Sequence, residues 1–105
     1  MIQKRKGERM DSLVRSVLGE MDSKKIKKVA CFKSRQEYFL KERSGVKPNT
    51  QRKIDDADER FDLLRKGEID FIEIKCIETG EIFIREITDV SIYDGWMTIS
   101  WRHSR

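Results

Sequence analysis

The hydrophobic positions fall into two regimes. From Ile69 onward they alternate. Ile69, Phe71, Ile72, Ile74, Cys76 and Ile77 predict one strand, and Ile82–Ile87 a second. Val90–Tyr93 continues that second strand past a bulge at Thr88-Asp89, and Trp96–Trp101 forms a third, with Met97, Ile99 and Trp101 on one face. Glu78-Thr79-Gly80-Glu81 and Asp94-Gly95 predict the tight turns between them.

Before Ile69 the spacing is mostly helical. Leu13, Val14, Val17, Leu18 and Met21 form one stripe and predict an amphipathic helix starting at Asp11 or Ser12, either of which can cap it. Val29-Ala30-Cys31-Phe32 predicts a short strand. Ser34-Arg35-Gln36-Glu37 has the form of a capping box, so a second helix is expected over 34–44, ended by Gly45. Thr50–Ile54 reads as a short strand. A third helix is expected over 56–66, with Asp55-Asp56 at its start and Gly67 after its end.

The expected fold class is therefore α+β: a small curled, mostly antiparallel β-sheet or barrel with two to three helices. At 105 residues the chain suits a single modest core. The expected division is a basic arm and amphipathic helix over 1–24, followed by the folded domain over 25–105.

Charge adds a second layer. Residues 1–53 hold sixteen Lys and Arg against six Asp and Glu, and residues 54–105 hold seven against thirteen. A basic half suggests a polyanionic partner, RNA or a nucleotide. The bland alternative is that the two halves neutralise each other within the fold or across a dimer. No apolar run approaches the roughly 20 residues that span a bilayer, and Met1–Lys6 is basic without an apolar segment behind it. A cytoplasmic protein without membrane attachment is expected. Cys31 and Cys76 stand alone and read as core thiols. With one histidine and no Cys/His cluster, neither a metal nor a cofactor is expected. Asp55, Asp56, Asp58 and Glu59 mark a helix start better than an ion site.

The candidate chemistry converges on Gly45-Val46-Lys47-Pro48-Asn49-Thr50-Gln51-Arg52, which holds the only proline. A threonine hydroxyl becomes a nucleophile when a neighbour takes its proton, and a lysine does so when its pKa is lowered. In an extended segment Thr50 and Arg52 point the same way, and an arginine there orients a carbonyl or phosphate by paired hydrogen bonds. The plain reading of the same residues is a solvated Lys47, a strand Thr50 and an Arg52 paired with Asp55 or Asp56. Phe83, Tyr93, Trp96 and Trp101 read first as core, although they cannot all face inward. Those that face outward would stack on bases. His103, near the chain end, is a weak candidate for chemistry.

The order of these elements resembles the ASCH domains of the PUA-like superfamily over roughly residues 28–101. In that family a helix ends in glycine and a K-x-x-T-x-R-type signature follows. Gly45, Lys47, Thr50 and Arg52 match it, and Ile84–Val90 looks like the family's later strand with its T-x-V-like corner. The resemblance implies a PUA-like barrel and binding of RNA or modified nucleosides at Lys47, Thr50 and Arg52. It also implies, for some members, an amidohydrolase that removes an acyl group from a modified cytosine with a Lys, a Thr and a Glu. Lys47 and Thr50 match the first two. The sequence does not select the acid, and Glu73, Glu81 and Glu86 stand on plausible strands. Pro48 directly after the lysine departs from the pattern.

The leading expectation is a small RNA- or nucleotide-binding domain, monomeric or homodimeric, with its cleft at Gly45–Arg52. One alternative is an interaction protein of the phage or mobile-element type that inhibits a host complex. The other is an amidohydrolase acting on an acylated cytidine, with Lys47 and Thr50 as catalytic residues.

Overall fold

The structure is a computed structural model that describes residues 14–18 and 26–103. The expected basic arm, the capping residues Asp11 and Ser12, and Leu13 and Met21 lie outside the described residues. In chain order the elements are β1 (Val14–Leu18), β2 (Ile26–Ser34), α1 (Gln36–Ser44), β3 (Asn49–Lys53), α2 (Glu59–Arg65), β4 (Phe71–Cys76), β5 (Ile82–Tyr93) and β6 (Trp96–Trp101). They form one six-stranded sheet in the order β1-β2-β4-β5-β6-β3. Only β2 and β4 run parallel, and every other neighbouring pair is antiparallel. The α+β class with a curled, mostly antiparallel sheet holds. The sheet is not closed by backbone hydrogen bonds, and two helices are present among the described residues.

The late strands follow their alternation closely. Met97, Ile99 and Trp101 are buried, with Trp96, Thr98 and Ser100 turned the other way. The register of β5 on β6 shifts between Ile87 and Asp89, so the expected bulge is present, and it lets one long strand serve both halves of the sheet. Asp94 and Gly95 both take positive φ, 54° and 80°, as the tight turn into β6 requires.

The expected helix beginning at Asp11 is corrected. Where the structure describes that segment, Val14–Leu18 is strand β1, paired antiparallel with Ile26–Ala30. Val14 and Val17, whose spacing suits a helix, are themselves β-branched and are favoured in a strand. A ready partner strand outweighs a narrow helical stripe. Two caps are corrected as well. Ser34 does not cap α1: it is the last residue of β2, the helix is preceded by Arg35, whose side chain makes no cap, and the first helical amide, that of Gln36, donates instead to Glu78 Oε1 at 2.8 Å. The cap of α2 is Asp58, which accepts from the Arg60 amide at 3.0 Å, rather than Asp55 or Asp56.

The core lies between the inner sheet face and the two helices. Ala30, Phe32, Ile72, Ile74, Phe83, Met97, Ile99 and Trp101 come from strands, Phe39 from α1, and Phe61 and Leu64 from α2. Phe61 and Leu64 are three apart and so share one face of a short helix. Phe61 meets Phe32 edge-on at 6.0 Å, and Phe39, Phe83 and Trp101 form a run with centroids 5.3 and 5.9 Å apart. Each such buried side chain contributes about 1.5–3 kcal/mol. Both cysteines are buried and free. Cys31 stands opposite Glu73 and Cys76 opposite Ser34, three positions apart on neighbouring strands and on opposite faces. That placement excludes a disulfide between them.

Candidate functional site

The site begins at an unpaired edge. β1 pairs with β2 only as far as Ala30, so the carbonyls of Cys31 and Lys33 point into a gap facing β3. Alternate residues of a strand direct their backbone groups to the same edge. Two arginines fill that gap. Arg60 Nη1 donates to Cys31 O at 2.5 Å, and Arg52 Nη1 donates to Lys33 O at 2.7 Å. Both guanidiniums lie against the Phe32 ring, 5.0 Å from its centroid for Arg52 and 4.1 Å for Arg60. Side chains thus join β2 to β3 where main-chain bonds do not.

Arg52 reaches further than the expected pairing with Asp55 or Asp56, which the structure does not contain. Its Nε donates to Thr50 Oγ1 at 3.0 Å and its Nη2 to Ser34 Oγ at 2.8 Å. Ser34 Oγ in turn donates to Glu42 Oε1 at 3.0 Å. Thr50, Arg52, Ser34 and Glu42 therefore form one hydrogen-bonded chain from β3 through β2 to α1. Burial lowers the Arg52 pKa, the nearby Glu42 charge works against that shift, and Arg60 adds to it.

Glu42 is a buried carboxylate of this cluster that was not among the candidates read from the sequence. It is 2% exposed. None of the late-strand glutamates joins this cluster: Glu73 pairs with Arg15, Glu81 lies 3.6 Å from Arg43, and Glu86 is exposed. A signal for Glu42 did exist. Phe39 is the inward residue of α1, and the position three residues on shares its face. A carboxylate at an inward helical position marks a polar core element.

Gly45 ends α1 with φ 89°, as expected, and the amide of Lys47 then returns to Lys41 O at 3.0 Å. The turn brings Lys47 back toward the helix. Its Nζ donates to Asn49 O at 3.0 Å and to Asn49 Oδ1 at 3.2 Å, which leaves one ammonium proton uncommitted. Thr50 is 2% exposed and opposite Ile99.

These residues line one cavity of about 350 Å³, with Lys47, Thr50 and Arg52 on one side and Lys33, Arg35, Tyr38 and Glu42 on the other. The three residues singled out in the sequence are together. Thr50 Oγ1 accepts from a guanidinium, and Lys47 is directed at Asn49, so the pair is not arranged as nucleophile and base. The site instead offers cations, one buried carboxylate and the half-exposed ring of Tyr38.

The aromatic residues divide. Phe83 and Trp101 are core, while Tyr93 and Trp96 are 85% and 48% exposed and stand opposite each other across β5 and β6. Lys53 is the next residue along that row, opposite Trp96 on β3. His103 packs on Gly45 and lines a separate cavity with Arg85 and Arg102. Among the described residues no group of three or more His, Cys, Asp or Glu is placed to hold a metal, and no helix is long and apolar enough to cross a membrane.

Comparison with family models, with curated proteins and with solved structures finds no match.

Proposed function

We propose that this chain is a small RNA- or nucleotide-binding domain of the ASCH-like, PUA-like kind, with its ligand in the cavity between α1 and β3. The observation that carries the reading is the make-up of that cavity. Lys33, Arg35, Lys47 and Arg52 surround it, Tyr38 supplies a ring, and Glu42 is the one carboxylate. Cations select a phosphate-bearing ligand, a ring stacks on a base, and a buried carboxylate accepts from an amino or hydroxyl group. The charge division of the sequence supports this too. Among the described residues only Arg15–Glu73 and Arg43–Glu81 join the two halves as ion pairs, so mutual neutralisation leaves most of the described cations of the basic half without an ion pair.

The test is binding of a labelled single-stranded RNA and of mononucleotides across a salt series. Affinity should fall with salt, and Lys47→Ala should lower the salt slope by about 0.7. Tyr38→Ala should weaken binding without changing the slope. No binding at low salt, or binding indifferent to both changes, would end this reading. Arg52→Ala is a poor probe here, because Arg52 also joins two strands.

One observation favours a second reading. Glu42 shares the cavity with Lys47 and Thr50, which is the residue set of an amidohydrolase acting on an acylated cytidine. That chemistry requires Lys47 to leave Asn49 and Thr50 to be released from Arg52 when substrate binds. Absence of turnover of an N-acylated cytidine by the wild type rejects it. Of the three features behind the interaction-protein reading, the amphipathic first helix is a strand within the sheet where the structure describes it, while small size and separated charge still fit that reading.

A further inference from the structure

A second cavity, of about 490 Å³, shares Lys33 and Arg52 with the first and none of its other lining residues. It runs along the side-chain seam of β2. Its wall carries four cations, Lys33, Arg52, Arg60 and Lys75, against the single carboxylate of Glu73. Glu73 is already matched by Arg15. Arg60 is held by Asp58, which is outside this wall.

Lys33 and Lys75 form the centre of this wall. They are register partners across the parallel β2–β4 pair, so their side chains leave the same face of strands about 4.8 Å apart. Like charges placed directly opposite destabilise a sheet. Among the described residues neither ammonium has a hydrogen bond or ion pair with the protein. Beside them stand two guanidiniums that are already fixed in place by carbonyls and by the Phe32 ring, with N–H groups to spare. Fixed planar donors next to two point charges match a tetrahedral dianion. Ile82 and Cys31 complete the wall with apolar surface, which strengthens every charge interaction inside it.

We infer that the seam cavity is a phosphate site, taking the phosphate of a nucleotide or of an RNA backbone beside the cleft already described. The nature of the rest of the ligand rests on the nucleotide reading above. The phosphate site itself does not.

Inorganic phosphate is the first probe. It should raise the unfolding temperature of the full chain more than chloride at equal ionic strength. Lys75 lines only this cavity and Lys47 only the other, which separates the two sites. Lys75→Gln, which leaves the lining of the first cavity intact, should bind phosphate several-fold more weakly, Lys33→Gln/Lys75→Gln should bind it at least about tenfold more weakly, and Lys47→Ala should retain the phosphate binding that Lys75→Gln removes. Both lysines are exposed and have no partner among the described residues, so the double variant keeps the fold. A 5′-mononucleotide that binds more tightly than its nucleoside in the wild type, but not in the double variant, assigns a nucleotide phosphate. A double variant whose RNA salt slope falls by about 1.4 assigns a backbone phosphate. Phosphate that fails to bind, or binds equally to wild type and double variant, overturns the inference. Phosphate binding without any nucleoside or RNA binding leaves this site standing and removes the nucleotide reading alone.

Discussion

Arg52 Nη2 lies 2.8 Å from Ser34 Oγ, and that contact crosses the opening between the two ends of the sheet. No main-chain pair joins β2 to β3. Arg52 is therefore a structural brace as well as a wall of both cavities. Arg52→Ala removes three hydrogen bonds and a ring contact from a largely buried position. It should destabilise the domain by about 2–4 kcal/mol. Arg52→Lys keeps the charge but cannot reach Thr50, Lys33 and Ser34 at once, and should cost about 1–2 kcal/mol. Urea unfolding measures both, and an alanine variant as stable as wild type would contradict the brace.

Gly45 is constrained twice. Its φ is 89°, and a Cβ built on it would lie 2.6 Å from His103 Cγ. Gly67 has a similar φ of 74° and nothing within 4 Å of the same point. Gly67→Ala therefore isolates the backbone cost of a Cβ residue in the left-handed region, about 1–2 kcal/mol. Gly45→Ala should cost more. The excess should disappear in Gly45→Ala/His103→Ala, since His103 is exposed and supplies the clash. Equal costs for the two single variants would show that His103 moves aside freely.

Asp58 makes acid stability depend on one helix start. Burial opposes its charged form, but hydrogen bonds from the Arg60 side chain and amide outweigh burial, and the carboxyl is held below its usual range. A group depressed in the folded state contributes stability above its unfolded pKa, about 3.9, and loses it as pH falls through the lower folded value. Asp58→Asn keeps a capping oxygen and removes the charge. It should be less stable than wild type by about 1–2 kcal/mol near neutral pH, and the two curves should converge below about pH 4. Parallel curves across that range would locate the acid sensitivity elsewhere.

Trp96 and Trp101 offer a direct optical test of the outer face. Trp101 is 3% exposed and Trp96 48%, so acrylamide should quench only part of the emission, and Trp96→Phe should remove the quenchable part. If single-stranded RNA runs from the α1 cavity across β3 and β6, it should quench the same fraction. Stacking on such a ring is worth about 1–3 kcal/mol per base. RNA that binds without quenching Trp96 places the strand on another face.

The sequence and the structure agree best where one periodicity acts alone. The alternation of Met97, Ile99 and Trp101 defines β6 without help, and Gly45 has only one comfortable role after a helix. Val14–Leu18 was misread because five residues fit a helical stripe and a strand about equally, and what decides between them is Ile26–Ala30, a partner that local pattern does not contain. The site divides in the same way. Lys47, Thr50 and Arg52 are close in sequence and were found together. Glu42, Ser34 and Arg60 join them through folding, with polar groups at inward positions that composition alone reports as surface. Ser34 illustrates the conflict most clearly. Its capping-box context is real, but the hydroxyl gains a charge-assisted bond to Glu42 and one from Arg52, and those outweigh one helical amide.

The parallel pairing of β2 with β4 has a kinetic consequence. Every residue from Arg35 to Asp70 lies inside the one connection between those strands, and that connection holds α1, β3 and α2. Glu42, Lys47, Thr50, Arg52 and Arg60 are thus enclosed by a single long-range closure, whereas the β4–β5–β6 meander forms from neighbours. Folding should begin in the meander and finish at the cleft. The ligand-contacting part of the chain would be the last to gain protection from hydrogen exchange and the first to lose it, so a ligand bound there would act as the final fastener of the fold.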